Sequence, residues 1–318
     1  MPRYRTKLPQ SSGRLLLTDG GIETTLIFQY GFDLPCFAAF PLLDTPPGQA
    51  ALHQYYATYA ALAQRLGLGL LLESPTWRAN PDWAARLGYS PARLGDVQRR
   101  AIGLMEEFRT RLEQQGTQAV IAGNLGPRGD GYVPSAIMTA GEAAAYHHPQ
   151  IAAFARTEAD LVSALTLNYR NEAIGIALAA REVAMPVVLS FTVETDGRLP
   201  TGDTLQRAIE ETDAATDGYP AYYMVGCAHP THILAGLLPD GAWRQRVGGI
   251  RANASPQSHA QLNEATTLDD GDPVAFGALH RELWRQFPAL CVIGGCCGTD
   301  HRHVEHACLA LMPPGSGG

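Results

Sequence analysis

The sequence predicts an α/β chain folded as one (β/α)8 TIM barrel. Three observations predict it. Eight short apolar runs alternate with segments of helical periodicity along 318 residues. No shift in composition breaks the series into separate units. Asp19, Glu73, Asn124, Cys227, Asn253, Cys296 and Cys297 each fall just after a predicted strand, where barrels of this kind collect their chemistry. The competing architecture is an open doubly wound sheet. Asp19-Gly20-Gly21 lacks the glycine pattern of a dinucleotide fingerprint that such a sheet would carry.

The elements follow in order. Leu15-Leu16-Leu17 forms the first strand and ends in Thr18-Asp19-Gly20-Gly21. From Gln49 to Leu66, apolar and aromatic residues recur at Leu52, Tyr55, Tyr56, Tyr59, Leu62 and Leu66, which is helical spacing. The second strand is Leu68–Leu72, and a helix covers Pro91–Glu113. Ala119–Ala122 is the third strand, followed by a helix over 140–158. Leu161-Val162 opens the fourth, and Asn171–Val183 is helical. Val187–Leu189 is the fifth strand; Asp203-Thr204 caps the helix Leu205–Glu211. Tyr222–Val225 and a short helix at Thr231–Leu238 make the sixth unit. Val247–Ile250, with two glycines, is the seventh strand, and Pro273–Phe287 its helix. Leu290–Ile293 and Asp300–Met312 complete the series. The domain therefore spans residues 14–312, with a flexible polar segment at 1–13 and a fraying tail at 313–318.

Composition excludes several functions. The chain is 46% hydrophobic and 17% charged, an ordinary globular balance. Its net charge is -7, from 24 Lys and Arg against 31 Asp and Glu, with no long basic run. Nucleic acid and anionic membrane surfaces are poor partners for such a chain. Leu66–Leu72 is the longest strongly apolar stretch and is far too short to span a bilayer. Six cysteines are too few for a disulfide scaffold. The expected setting is a reducing cytoplasm, where thiols bind metals or do chemistry.

Cys227 ends the run Tyr222-Tyr223-Met224-Val225-Gly226-Cys227, and Cys296 and Cys297 lie in Gly294-Gly295-Cys296-Cys297-Gly298-Thr299. About seventy residues separate them. Barrel closure brings strands six and eight to one rim, with strand seven between. Side chains alternate along a regular strand, so two vicinal thiols converge only if the surrounding glycines turn the backbone. Three thiolates suit a zinc ion whose fourth position stays open to substrate. Spacing alone leaves a second reading open, core thiols or a redox-active vicinal pair, because no Cys-x-x-Cys pair is present. Cys36, Cys291 and Cys308 read as small apolar core side chains.

At these residues the chain resembles the homocysteine S-methyltransferase family, whose hallmark is a Gly-Gly-Cys-Cys segment after the last barrel strand. Gly294–Cys297 and Gly226-Cys227 match, as do Asp19-Gly20-Gly21 with Glu23-Thr24, Gly123–Pro127, Ser190-Phe191-Thr192, Asp196–Leu199 and Gly202. The resemblance runs from about residue 14 to 312. It implies zinc (Zn2+) on Cys227, Cys296 and Cys297, and methyl transfer from a small onium donor to a thiol acceptor. A directly bound, S-methylmethionine-like donor and a homocysteine-like acceptor are expected, as in methionine biosynthesis. One departure bears on the acceptor. The family's fourth-strand Phe-Glu-Thr is Ala164-Leu165-Thr166 here, so the carboxylate that holds the acceptor amine is missing. That loss motivates an alternative acceptor, a thiol other than homocysteine. A non-catalytic zinc or thiol-redox sensor is the reading from a different class.

The remaining candidates are substrate-binding residues: Asp19, Gly20, Gly21, Glu73, Asn124 and Asn253. Glu73 is expected to replace the missing carboxylate or to face a cationic donor, with a solvated loop charge or a salt-bridged one as its competing reading. Asp19 and the two asparagines have turn formation as their competing role. Trp77 reads as packing, in preference to a cation–π platform. Tyr222 and Tyr223 should point one into the barrel and one toward the helices. His229, His232, His301, His303 and His306 read as solvated or packed against helices, not as metal ligands.

Overall fold

The computed structural model describes residues 2–135, 137–237 and 240–312. Eight parallel strands close in sequence order, β1 through β8 and back to β1. They are β1 (Leu16–Leu17), β2 (Gly69–Glu73), β3 (Ala119–Leu125), β4 (Leu161–Leu167), β5 (Val187–Phe191), β6 (Tyr222–Gly226), β7 (Val247–Ala252) and β8 (Val292–Gly295). The outer ring comprises α1 (Pro46–Leu66), α2 (Pro91–Gln114), α3 (Ala140–Ala155), α4 (Arg170–Glu182), α5 (Leu205–Thr216), α6 (Pro230–Ala235), α7 (Pro273–Gln286) and α8 (His301–Leu311). The (β/α)8 barrel expected from alternation is the observed fold.

Strand periodicity builds two apolar layers. Leu16, Leu71, Val120, Leu161, Val188, Tyr222 and Val292 meet inside the barrel. Their neighbours Leu17, Leu70, Leu72, Ile121, Val162, Leu189, Tyr223 and Ile293 pack outward under the helices. Tyr222 and Tyr223 thus divide as alternation predicts. The interior Tyr222 hydroxyl accepts from Gln10, and Tyr223 donates to Asp213 at 2.8 Å.

Helix starts are set by side chains that satisfy free N–H groups. Thr45, Ser90, Thr139 and Thr204 cap α1, α2, α3 and α5. Thr139 forms a reciprocal capping box with Glu142. Strand seven, despite its glycines, runs two residues longer than expected. Gly248 and Gly249 are there because Tyr222 and Met224 press against them: an added Cβ would meet those side chains at 2.9 and 2.6 Å. Predicted Leu238, the end of the sixth helix, lies outside the described residues, as does the 313–318 tail.

The polar N-terminal segment expected to be loose is instead tied to the barrel in residues 2–13. The Arg3 and Tyr4 amides donate to Asp160, each at 2.8 Å, and Arg5 donates to the Ala155, Thr157 and Ala159 carbonyls. Leu8 joins the interior cluster. Polar composition concealed this because the anchors are main-chain and guanidinium donors. No helix among the described residues is long and apolar enough to cross a membrane.

Candidate active site

The C-terminal strand ends open into a cavity of about 540 Å³. Its base is built from β6 and β8. Cys227, immediately after β6, takes φ 53, the left-handed region. The local ladder holds it there. Its N–H donates to the Arg251 carbonyl at 2.9 Å, and its own carbonyl accepts from His259 Nε2 at 2.6 Å and Thr192 Oγ1 at 3.2 Å. Beyond β8, the Cys296 amide donates to Ala252 at 2.8 Å and the Cys297 carbonyl accepts from Ala254 at 3.1 Å. Thr299 closes the turn onto the Cys296 carbonyl, and Gly298 at φ 80 supplies the left-handed residue after the pair.

These constraints bring the three thiols to one cavity. Cys227 Sγ lies 2.7 Å from Cys296 Sγ and 2.9 Å from Thr166 Oγ1, while Tyr132 Oη lies 3.6 Å from Cys297 Sγ. Contact with the Cys227 sulfur, reinforced by burial, pushes the Cys296 thiol well above its ordinary range. Contact with Cys296, again with burial, does the same to Cys297. All six cysteines are free. Three soft donors on rigid strand ends fit zinc in chemical type. Among the described residues no group of three or more His, Cys, Asp and Glu side chains is spaced as a formed metal site. Two ligands at about 2.3 Å on a tetrahedral ion stand about 3.8 Å apart, so the Cys227 and Cys296 sulfurs must part by about 1 Å to share one.

Beside the thiols lies a buried ion cluster. Arg251 of β7 pairs with Asp19 at 2.7 Å and with Glu73. Burial would lower the guanidinium, but the two carboxylates hold it well above its ordinary range. Burial raises Glu73, outweighing the opposing pull of Arg251. Asp19 also accepts from Tyr55 at 3.0 Å. Glu73 Oε1 is buried without a hydrogen-bond partner. Both carboxylates therefore line the cavity, and Glu73 is salt-bridged, its competing reading, to a cation, Arg251, that sequence reasoning did not name. The available signal was a lone charge inside an otherwise apolar strand.

The other expected residues separate. Gly20 and Gly21 line the cavity, and the structure gives them a packing reason: an added Cβ would meet Tyr59 Oη or the Cys296 carbonyl at 2.5 Å. Asn124 lines it with Oδ1 buried and unpartnered. Asn253 does not; it is buried behind the rim, its amide donating to Ala228. Cys36, read as a core thiol, is half-buried at the cavity wall. Leu165 also faces the cavity, at a bulge in β4 where Thr166 takes φ 63. Trp77, read as packing, instead lines the cavity with the Arg78 guanidinium over its ring and its Nε1 donating to the Leu165 carbonyl. His303 is buried, its Nε2 against the Asp270 carbonyl at 2.7 Å, and neither it nor His229 lines the cavity. The histidine that matters locally, His259, was not singled out. It stacks on Tyr132 at 3.9 Å and pairs with Glu194 at 3.0 Å.

Residues 16–311 match the family model described as homocysteine S-methyltransferase. The chain belongs to the homocysteine S-methyltransferase family. As a member it is a methyltransferase acting in thiol methyl transfer. Among solved structures it is similar to the Escherichia coli homocysteine methyltransferase MmuM in its metallated form, at 20% identity and TM-score 0.70, with 92% of this chain and 94% of that chain covered. The oxidized form of MmuM gives 21% identity and TM-score 0.71 over 93% and 95% of the two chains. The apo form gives 20% and 0.64 over 96% and 100%. A search of curated protein sequences found no match. At these identities the structural likeness speaks for the barrel. In this member of the homocysteine S-methyltransferase family, Leu165 and the Asp19–Arg251–Glu73 cluster line the cavity.

Proposed function

We propose that the protein is a zinc-dependent methyltransferase carrying a methyl group from a small sulfonium or quaternary ammonium donor, S-methylmethionine-like, to a homocysteine-like thiol. The observation that carries this reading is the convergence of Cys227, Cys296 and Cys297 at one cavity. That MmuM, a protein of the same fold, has a metallated form supports a metal-dependent reading. Here Cys227, Cys296 and Cys297 would hold zinc. Bound there, zinc supplies an open position at which an entering thiol loses its proton near neutral pH.

The chain's own residues do the rest. Thr166 and Tyr132 flank the sulfurs with hydroxyls. His259 and Thr192 fix the Cys227 carbonyl. Asp19, Glu23, Glu73, Asp130 and Asp269 line the cavity against two arginines, Arg78 and Arg251, a balance that favours a cationic donor. Asp19, Gly20, Gly21, Glu73 and Asn124 are the proposed substrate contacts. In the reaction the acceptor sulfur forms the new C–S bond. The donor's C–S or C–N bond breaks with its electron pair, releasing a neutral thioether or amine, and the acceptor proton passes to solvent. A neutral leaving group needs no dedicated acid. Aligning two bound substrates supplies much of the rate. The free thiols support a reducing compartment, the cytoplasm.

One observation favours a second acceptor class. Leu165 puts a hydrocarbon at the cavity wall, so a thiol without the homocysteine amine fits there at no desolvation cost to an ammonium. The test is zinc analysis of the purified protein, then methyl transfer from S-methylmethionine or glycine betaine to homocysteine and to amine-free thiols. Stoichiometric zinc with turnover supports the proposal. Turnover only on amine-free thiols selects the second acceptor. Folded protein that binds no zinc and moves no methyl group overturns both.

A further inference from the structure

One cation in the cavity has no assigned work. Arg78 lies in the connection after β2 and lines the cavity, 6% exposed. Its guanidinium carbon lies over two indoles, 4.1 Å from the centre of the Trp77 ring and 4.3 Å from that of Trp83. Yet among the described residues it makes one hydrogen bond, Nη1 to the Gly129 carbonyl at 2.9 Å, and its buried Nε finds no partner there. The nearest carboxylate, Asp130, stands 4.0 Å from Nη2, beyond hydrogen-bond range. Asp130 is held in its own turn through Oδ1, which accepts from the Tyr132 and Val133 amides at 2.8 and 3.0 Å, so only its Oδ2 faces Arg78, at that longer distance. A guanidinium carries five donors in a fixed fork. Holding this one against two indole rings while leaving most of its donors unused keeps a preorganised anion receptor beside the thiols.

We infer that Arg78 is a specificity residue that anchors a substrate carboxylate by a forked hydrogen bond. The planar, monoanionic carboxylate suits the fork. A polyanion such as phosphate does not suit a cavity whose charged lining is mainly carboxylate. Acceptor and donor amino acids both carry this group, and the stacked position makes Arg78 select acidic substrates over their decarboxylated counterparts. The inference rests on the methyl-transfer reading for its choice of substrates, but its readout is binding.

The full-length, zinc-loaded protein is titrated calorimetrically with homocysteine and 3-aminopropanethiol, then with S-methylmethionine and (3-aminopropyl)dimethylsulfonium. The wild type should prefer the carboxylated member of at least one pair by about tenfold or more, the scale of one charge-assisted hydrogen bond. Arg78→Met, which keeps the stem against the indoles, should abolish that preference, and Arg78→Lys should restore part of it. Loss confined to the homocysteine pair assigns the acceptor; loss confined to the sulfonium pair assigns the donor. Equal weakening of both members in Arg78→Met overturns the inference, leaving a packing role. So does a wild type that ignores the carboxylate or binds none of the four. If Arg78→Met does not fold, the wild-type preference and Arg78→Lys decide. An Arg78-dependent preference in a protein that transfers no methyl group would leave this inference standing and sink the proposed reaction.

Discussion

The Cys227 sulfur touches the Cys296 sulfur at 2.7 Å across 69 residues of sequence. β7 alone separates their strands, so this contact is fixed by barrel closure rather than by local sequence. Because contact and burial hold Cys296 and Cys297 as protonated thiols, a metal must displace their protons to bind. Cys227→Ala, Cys296→Ala and Cys297→Ala should each lose zinc and turnover together, read by elemental analysis and methyl-transfer assay. Zinc affinity of the wild type should fall as pH is lowered. Cys308→Ala, in the outer core, should keep its zinc.

His259 Nε2 meets the Cys227 carbonyl at 2.6 Å, and its other nitrogen meets Glu194. That carbonyl belongs to a non-glycine residue in the left-handed region, where an L side chain is disfavoured. Removing the imidazole frees the Cys227 peptide to relax and misdirects its sulfur. His259→Ala should weaken zinc binding about 10–100-fold, the range for lost outer-shell support, as measured by chelator competition. His259→Gln, able to donate the same hydrogen bond, should recover part of it. Unchanged zinc affinity in His259→Ala would refute this positioning role.

The barrel and its rim were legible because they rest on periodicity and strand-end position, which are local signals. Cys227, Cys296 and Cys297 were legible for the same reason. Their partners were not. Arg251 comes from β7 to meet Asp19 after β1 and Glu73 of β2, a pairing that exists only once the sheet has closed. Asn253 sat at the right place in sequence, but its backbone tie to Ala228 turns it behind the rim. The N-terminal segment misled because its anchors are backbone donors reaching Asp160, which composition cannot register.

Arg251 is buried against its two carboxylates, so its removal strands buried negative charge. Arg251→Met should cost about 3–5 kcal/mol of stability, as for other broken buried ion pairs, measured by urea unfolding. Arg251→Met with Glu73→Gln should be less damaged than the single variant, because one stranded carboxylate is neutralised. A double variant as unstable as additive single effects would show that the two side chains do not act as a pair.

Glu23, half-buried in the cavity wall, gives the site a pH response. Burial raises its pKa to about 7, with the Asp19 charge adding and its own backbone N–H, Arg78 and Arg251 opposing. The unfolded chain releases this proton near about 4.3. Between those values the folded protein holds the extra proton. Stability therefore falls as pH rises through that window and levels off above the folded pKa. Glu23→Gln should remove this share of the slope, read as the difference in urea midpoints between variant and wild type at about pH 5 and about pH 8. The same ionisation makes the cavity more negative as pH rises past about 7. Binding of a sulfonium donor should tighten across that step in the wild type and stay flatter in Glu23→Gln. Identical pH profiles for the two proteins would mean that Glu23 titrates as an ordinary surface carboxylate and takes no part in holding the donor.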